Sequence, residues 1–465
     1  MANTKLLSLS LTSLKDLETN NKDSLVKVRA RVHSLRVKGN IAFIILRQDI
    51  NTLQAVAVKS EEINKETLKM IKTINNESIV DIYGLVTNTD KKIESCTLKD
   101  IELQVKSISV VSMADSVLPF QIEDSMRNHN DQVDLPMVGL KTRLDNRVID
   151  LRSSLNQSIF RVRSGITSLF REFLNNKGFI EINTPKLLGG SSEGGSEVFK
   201  LDYFNKQACL AQSPQLHKQM MIMGDFDGVY EVGSVFRAEN ANTHRHLCEF
   251  IGLDVEMRIE TDHIEVIKTA NELFLFIFKH LEKQYKREIE IIREYTKAEP
   301  IELGKELVIL DFKEAVDLLN TNNFDQSYDE DISTERERQL GALVKQAYNT
   351  DLFTVMNYPS SIKPFYTKPK TKNHKISNSF DIFLRGQEIV SGGQRIEDPV
   401  LLEQKIQEKG IDPNTLQDYL NAFKYGAYKH GGFGIGLERI VMLYLGLKNI
   451  REASIFPRDP NRLKP

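Results

Sequence analysis

The chain has no tryptophan and only three cysteines in 465 residues, Cys96, Cys209 and Cys248. They lie far apart and form no C-x-x-C pair, which argues against a disulfide framework and against a thiolate zinc site. No G-x-x-x-x-G-K-[ST] run occurs, so any triphosphate site has to be built without a Walker loop. No apolar run reaches the length of a membrane-spanning helix, and residues 5–15 are too polar for the apolar core of a signal peptide. A net charge of −2 excludes a uniformly basic nucleic-acid coat but leaves room for a local basic face. These absences predict a cytoplasmic protein in a reducing compartment, with no membrane partner.

What is present is ordinary globular composition, 40% apolar and 27% charged. The length predicts about two to four domains with a large core. Residues 26–33 alternate strictly: Val26, Val28, Ala30 and Val32 against Lys27, Arg29, Arg31 and His33, a strand with one apolar and one basic face. Further strands are expected at 41–47, 53–58, 79–86 and 101–111, with a helical insert around 61–74. Five short strands and one helix suit a small barrel of the OB type, and the basic strand face points towards a polyanion. Residues 113–148, bracketed by Pro119 and Pro136, are acidic, rich in Asn and without periodicity, and are expected to be a hinge. From 149 to 465 the text carries long helices (around 145–174, 263–285 and 335–348) between strands and Gly-rich loops. Their order is not regular βαβ, so an antiparallel α+β domain is expected there.

Two segments stand out in this second region. Residues 229–239 and 247–257 read as strands joined by the polar loop 240–246. Arg237 and Glu239, two apart, leave one strand face, where an arginine can meet a phosphate with directed hydrogen bonds. In Gly432-Phe433-Gly434-Ile435-Gly436-Leu437-Glu438-Arg439 the alternating glycines suit a strand that another group approaches closely. An arginine at its junction with an apolar helix is costly to bury without an anion. Between them, Glu388 and Ser391 offer hard oxygen ligands of the kind magnesium takes, with Asp381 as a weaker third.

Phe236-Arg237-Ala238-Glu239 through Arg245-His246 to Glu249-Phe250, paired with the Gly-Ile-Gly-Leu-Glu-Arg run, resembles motifs 2 and 3 of the class II aminoacyl-tRNA synthetases. Gly178-Phe179-Ile180-Glu181-Ile182-Asn183-Thr184-Pro185 resembles motif 1, whose proline lies at the dimer interface, so a homodimer is implied. Gln212-Ser213-Pro214-Gln215-Leu216-His217-Lys218 narrows the resemblance to the aspartyl enzymes of archaeal and eukaryotic type, and it extends from about Val26 to Pro465. It implies an OB-type barrel that reads the anticodon (residues 1–112), a hinge (113–148) and a catalytic domain (149–465) built on an antiparallel sheet flanked by helices. The implied activity is aspartate–tRNA ligation, with ATP as substrate, Mg2+ as cofactor, and L-aspartate and tRNA(Asp) as partners. Asparaginyl activity, a non-discriminating aspartyl enzyme and a catalytically silent RNA-binding relative are the alternatives.

The resemblance also assigns residues. Arg237, His246 and Arg439 are the implied catalytic groups. ATP would meet Arg237, Glu239, Arg245, His246, Phe250, Glu388, Gly436 and Arg439, with Phe250 stacked on adenine and Arg439 at the γ-phosphate. Aspartate would meet Glu193, Ser213, Gln215, Lys218, Arg237, Asp254, Ser391 and Arg395. Lys218 and Arg395 would neutralise its side-chain carboxylate, which is expensive to bury unpaired. The implied metal ligands are Glu388, Ser391 and Asp381. In the barrel, Phe43, Gln54 and Glu102 fall where the family reads the anticodon, a stacking aromatic beside groups for base edges. Many eukaryotic relatives carry a Lys-rich helical extension before the barrel. About two dozen mostly uncharged residues stand there in this chain, so the tRNA affinity of such a tail is not expected.

Overall fold

Alternation in the first strand does what a period of two requires. In β1 (Leu25–Lys38) the side chains of Val26, Val28, Ala30 and Val32 are buried while their neighbours face outward. The structure, a computed structural model, describes residues 9–18, 22–127, 135–190, 198–304, 306–370 and 375–465. Two compact units divide the chain, Met1–Gln157 and Ser158–Pro465. The segment 113–148, expected as a hinge, falls inside the first of them. In that unit β1 joins β2 (Ile41–Gln48), β3 (Asn51–Val58), β4 (Ile79–Asn88) and β5 (Ile101–Ser112) in a closed barrel of order β1-β2-β3-β5-β4. Every pairing is antiparallel except β3 with β5. The helix Lys65–Lys72 is capped by Asn64, whose side chain accepts from Thr67 N, and it buries Leu68 and Ile71 in the barrel core. The five-stranded barrel of the OB type is therefore present, with strands a few residues longer than periodicity alone marks.

The second unit is built on an eight-stranded sheet. Its order is β12 (Val308–Asp311), β13 (Leu352–Met356), β14 (Ser379–Leu384), β15 (Gln387–Gln394), β16 (His430–Gly436), β11 (Glu249–Arg258), β10 (Gly228–Phe236) and β6 (Ile180–Glu181). The pairings are antiparallel apart from the two edges, β6–β10 and β12–β13. A small sheet, β7 (Leu187–Leu188), β9 (Lys206–Leu210) and β8 (Lys200–Tyr203), stands beside it in sequence. Helices cover the large sheet. On Ser154–Asn176 the apolar stripe of Ile159, Val162, Ile166, Leu169 and Phe170 is buried, and Phe173 packs on Phe276 with ring centroids 5.5 Å apart. Ile264–Gln284 presents Phe278 to Tyr444 of Leu437–Leu445, the rings stacked at 5.0 Å. The fold is the expected α+β arrangement.

The alternating glycines of β16 find their reason in β11. Gly432, Gly434 and Gly436 lie opposite Glu256, Asp254 and Gly252. A Cβ on Gly432 would come within 2.2 Å of Glu256 Oε2. The stripe without side chains makes room for two acids on the neighbouring strand.

Candidate functional site

A cavity of about 360 Å³ opens on the sheet face formed by β11, β15 and β16, and its walls carry most of the singled-out residues. Arg237, Glu239, Arg245 and His246 come from the β10–β11 connection, Phe250 from the start of β11, and Gly436 and Arg439 from the end of β16 and the helix after it. Regular pairing of β10 with β11 stops at Phe236 and Glu249, so Arg237 and Glu239 stand just beyond the strand and the loop is longer than expected. The two still interact: the Arg237 guanidinium lies 3.8 Å from Glu239 and 5.6 Å from the Phe250 ring centroid. Burial pushes the His246 imidazole below its ordinary value; Glu239 opposes this, and Arg245 and Arg439 add to it. At pH 7 His246 is a neutral donor or acceptor beside cations. Arg439 donates to Glu388 O at 3.3 Å. Its neighbour Glu438 is held by Arg163 Nη2 at 2.9 Å and by Ile251 N at 3.0 Å, which ties the β16–helix junction to β11.

The cavity wall also holds Ser213, Gln215, Asp254, Ser391 and Arg395. Arg395 donates to Gln215 Oε1 at 3.4 Å and, through Nε, to Glu256 Oε1 at 2.9 Å. Lys218 does not line the cavity. Its ammonium is buried under the floor, 3.0 Å from Asp254 Oδ1 and 3.5 Å from Glu256. Glu256, which sequence reasoning missed, therefore bridges both cations. Burial alone would raise its carboxyl, and Arg395 and Lys218 hold it below the ordinary value instead. The available signal was its place two residues beyond Asp254 on one strand face. Glu193 lies outside the described residues.

Glu388 and Ser391 line the cavity, whereas Asp381, the buried cross-strand partner of Ser391, does not reach its wall. Burial, and next to it the Asp381 carboxylate, push the Glu388 carboxyl up to about 7 against the pull of Arg439. Asp381 Oδ2 accepts from Lys363 Nζ at 2.7 Å, and its buried Oδ1 has no hydrogen-bond partner. Crowded carboxylates with an unsatisfied oxygen and a serine hydroxyl fit a hard divalent cation, for which such groups are the usual ligands. Lys363, a wall residue whose ammonium also sits 3.9 Å over the Tyr358 ring, was not anticipated; an isolated lysine in a loop carries no pattern.

On the barrel, Phe43, Gln54 and Glu102 share one outer face. Gln54 lies opposite Glu102 and donates to its Oε2 at 3.1 Å, and Phe43 is one diagonal step away on β2. Arg36 is the cross-strand partner of Phe43. The basic stripe of β1 is a different matter. Arg29 Nε is 2.7 Å from Asp81 and Lys27 3.4 Å from it, His33 is 3.1 Å from Glu123, and Arg31 donates to Glu77 O at 2.9 Å. Part of the expected polyanion face is thus engaged by Asp81, Glu123 and the Glu77 carbonyl on neighbouring elements, contacts that a single strand's pattern does not reveal.

Comparison with known proteins agrees with this geometry. Residues 139–460 match the family of tRNA synthetases class II (D, K and N), and residues 26–111 match the OB-fold nucleic acid binding domain. The cytoplasmic aspartate–tRNA ligase of Mus musculus is 46% identical over 457 residues, 98% of this chain and 91% of that one. Cytoplasmic aspartate–tRNA ligase 1 of Arabidopsis thaliana is 44% identical, covering 98% and 86%. Among solved structures, the aspartyl tRNA synthetase from Entamoeba histolytica has a TM-score of 0.90 at 44% identity, covering 98% of this chain and 93% of that one. The asparaginyl-tRNA synthetase from Pyrococcus horikoshii complexed with asparaginyl-adenylate has a TM-score of 0.85 at 28% identity, covering 98% and 99%. The chain belongs to the class II tRNA synthetases. Within that class of enzymes it falls with the aspartate–tRNA ligases, which it resembles far more than it does the asparaginyl enzymes. No described helix is long and apolar enough to cross a membrane.

Proposed function

We propose that the chain activates L-aspartate with ATP, forming aspartyl-adenylate and pyrophosphate, and then transfers aspartate to the 3′ end of tRNA(Asp). The observation that carries this reading is one cavity lined by Arg237, Arg245 and Arg439 and also by Arg395, with buried Lys218 3.0 Å from the lining residue Asp254. The first three suit a triphosphate and the last two a second carboxylate.

In this reading Arg237 draws the α-phosphate and the attacking α-carboxylate together. Arg245 and His246 meet the outer phosphates, and Arg439 the γ-phosphate. Phe250 stacks on adenine, with Glu239 at its edge and Gly436 allowing close approach. Ser213, Gln215 and Asp254 surround the aspartate ammonium, and the family resemblance gives Glu193 the same task. Arg395 receives the side-chain carboxylate directly, and Lys218 adds its charge from beneath through Asp254. Glu388 and Ser391, backed by Asp381, would hold magnesium, which when bound neutralises phosphate oxygens. No side-chain nucleophile is required, because positioning and fixed charge lower the barrier to attack at phosphorus. The terminal ribose hydroxyl of the tRNA then displaces AMP from the mixed anhydride. Phe43, Gln54 and Glu102 on the barrel of residues 1–112 read the anticodon. The catalytic domain is assigned to 149–465, and 113–148 to the link between them. The exposed edge residues Ile180 and Leu187, either side of Pro185, support a homodimer through the motif 1 region. A cytoplasmic location follows the naming of the relatives.

ATP–pyrophosphate exchange without tRNA, with aspartate, asparagine or neither, tests the reading. Exchange with aspartate alone is expected. Exchange with asparagine instead would overturn the assignment of Arg395 and Lys218. Silence with both, repeated with tRNA added, would replace it by an RNA-binding role. Charging of tRNA(Asn) transcripts distinguishes a discriminating from a non-discriminating enzyme.

A further inference from the structure

The helix Thr334–Tyr348 contributes nothing to the cavity wall, yet three contacts join it to the elements that do. Its residue Glu337 is more than nine-tenths buried, and its Oε2 accepts from Glu388 N at 3.3 Å. The carbonyl of the same residue, Glu388, accepts from Arg439 Nη1 at 3.3 Å. The Glu388 main chain is therefore held from both sides. One residue on, Arg338 Nη2 lies 3.3 Å from Nε2 of His244, the neighbour of Arg245. The helix is seated by backbone contact: a Cβ on Gly341 would lie 2.3 Å from Gly386 Cα in the β14–β15 turn. No side chain fits between the two, so the helix packs directly on that turn. Burial pushes the Glu337 carboxyl above its ordinary value, and the Glu388 N–H, Arg245 and Arg439 pull it back towards the charged form.

We propose that Glu337 is a positioning residue of the triphosphate site, fixing the Glu388 peptide and supplying the counter-charge that keeps Arg245 and Arg439 in place before ATP arrives. This rests on the reading of those two arginines as phosphate cations. Two cations converging on one volume repel each other, and a buried carboxylate anchored to the sheet gives them a fixed geometry at the cost of some affinity for phosphate.

The substitutions Glu337→Gln and Glu337→Ala separate the two tasks. Glu337→Gln keeps an acceptor oxygen for Glu388 N and removes the charge. KM for ATP is expected to fall about threefold and kcat about tenfold, with an unchanged Mg2+ requirement. Glu337→Ala removes the anchor as well, and the Mg2+ concentration for half-maximal exchange is expected to rise about tenfold. Calorimetric titration of ATP–Mg2+ onto each variant gives the same ranking without turnover. Wild-type ATP affinity, kcat and Mg2+ requirement in Glu337→Ala would overturn the proposal, as would lower thermal stability as the one change in both variants. Should Glu337→Ala not fold, the near-isosteric Glu337→Gln alone decides through its split of KM against kcat. Arg439→Ala is the control. If it leaves ATP binding intact, the triphosphate reading itself fails; if it abolishes binding while the Glu337 variants are normal, only the positioning role does.

Discussion

On the barrel, Arg29 lies 2.7 Å from Asp81 and Arg47 2.8 Å from Glu77. In the catalytic unit, Arg439 reaches a main-chain carbonyl at 3.3 Å and pairs with no carboxylate among the described residues. The two histidines differ in the same way. His33 of the barrel has Arg47 at 2.9 Å and Glu123 at 3.1 Å, whereas neither ring nitrogen of buried His263 reaches a hydrogen-bond partner. A charge already paired inside the fold has spent its field on structure, and a cation left facing an open cavity keeps its field for a ligand. Residue type alone does not separate the two cases; the neighbours do.

The sharpest way to break the contrast is Arg439→Ala. Removing a preorganised cation from a phosphoryl-transfer site costs about a thousandfold in rate. ATP–pyrophosphate exchange is expected to fall by that order while thermal unfolding changes far less, because Arg439 makes no direct ion pair with a carboxylate among the described residues and acts on Glu388 and Glu337 only through its field. A parallel collapse in stability would show that Arg439 belongs with the structural cations.

His263 tests the opposite pole, a buried imidazole whose nitrogens lack a close hydrogen-bond partner. Burial, opposed by Asp262 and Asn357 and helped by Lys370, lowers its imidazole to about 4. As pH falls below 6.5 the unfolded histidine takes up a proton while the buried one does not, so stability is lost down to about pH 4. The full loss is roughly 3 kcal/mol. Unfolding midpoints of His263→Phe are expected to lose that acid slope and to match wild type near pH 7. An unchanged slope between pH 6.5 and 4 would mean that other groups carry it.

The third effect is on tRNA. Phe43→Ala removes one stacking surface, worth about 1–3 kcal/mol per base. KM for tRNA is expected to rise between about tenfold and a hundredfold, with ATP–pyrophosphate exchange untouched. A fall in exchange would break the assignment of reading to the barrel and chemistry to the sheet.

Much of this was legible before any coordinates. Period-two alternation marked the barrel strands, and the glycine stripe at 432, 434 and 436 announced close approach, which the register with Glu256 and Asp254 explains. Residues gathered by local motifs, such as Arg237 with His246 and Glu388 with Ser391, come together at one cavity. Other features depend on contacts between segments remote in sequence, and no local pattern encodes those. Glu256 reaches Arg395 across 139 positions, and Glu337 reaches Glu388 across 51. Lys218 was legible as a cation but not as one lying beneath the floor, because depth is set by which strand passes above it. The pairing of the basic stripe was hidden for a related reason, since Asp81 comes from a strand that is distant in the chain.

That stripe supplies the smallest and most discriminating prediction. Arg29 is bonded through Nε and Nη2 to both oxygens of Asp81, at 2.7 and 2.9 Å, and holds that carboxyl below its ordinary value. An arginine so engaged has little charge left for RNA, so Arg29→Met is expected to change KM for tRNA by less than about threefold. The salt dependence of tRNA binding is the finer readout. Each phosphate contact adds nearly one unit to the slope of log K against log salt. Arg29→Met should leave that slope unchanged, whereas Asp81→Asn, which frees Arg29 and Lys27, should steepen it and tighten binding at low salt. A shallower slope in Arg29→Met would show that Arg29 leaves Asp81 for tRNA, and the pairing on the barrel would then be a resting arrangement that the substrate displaces.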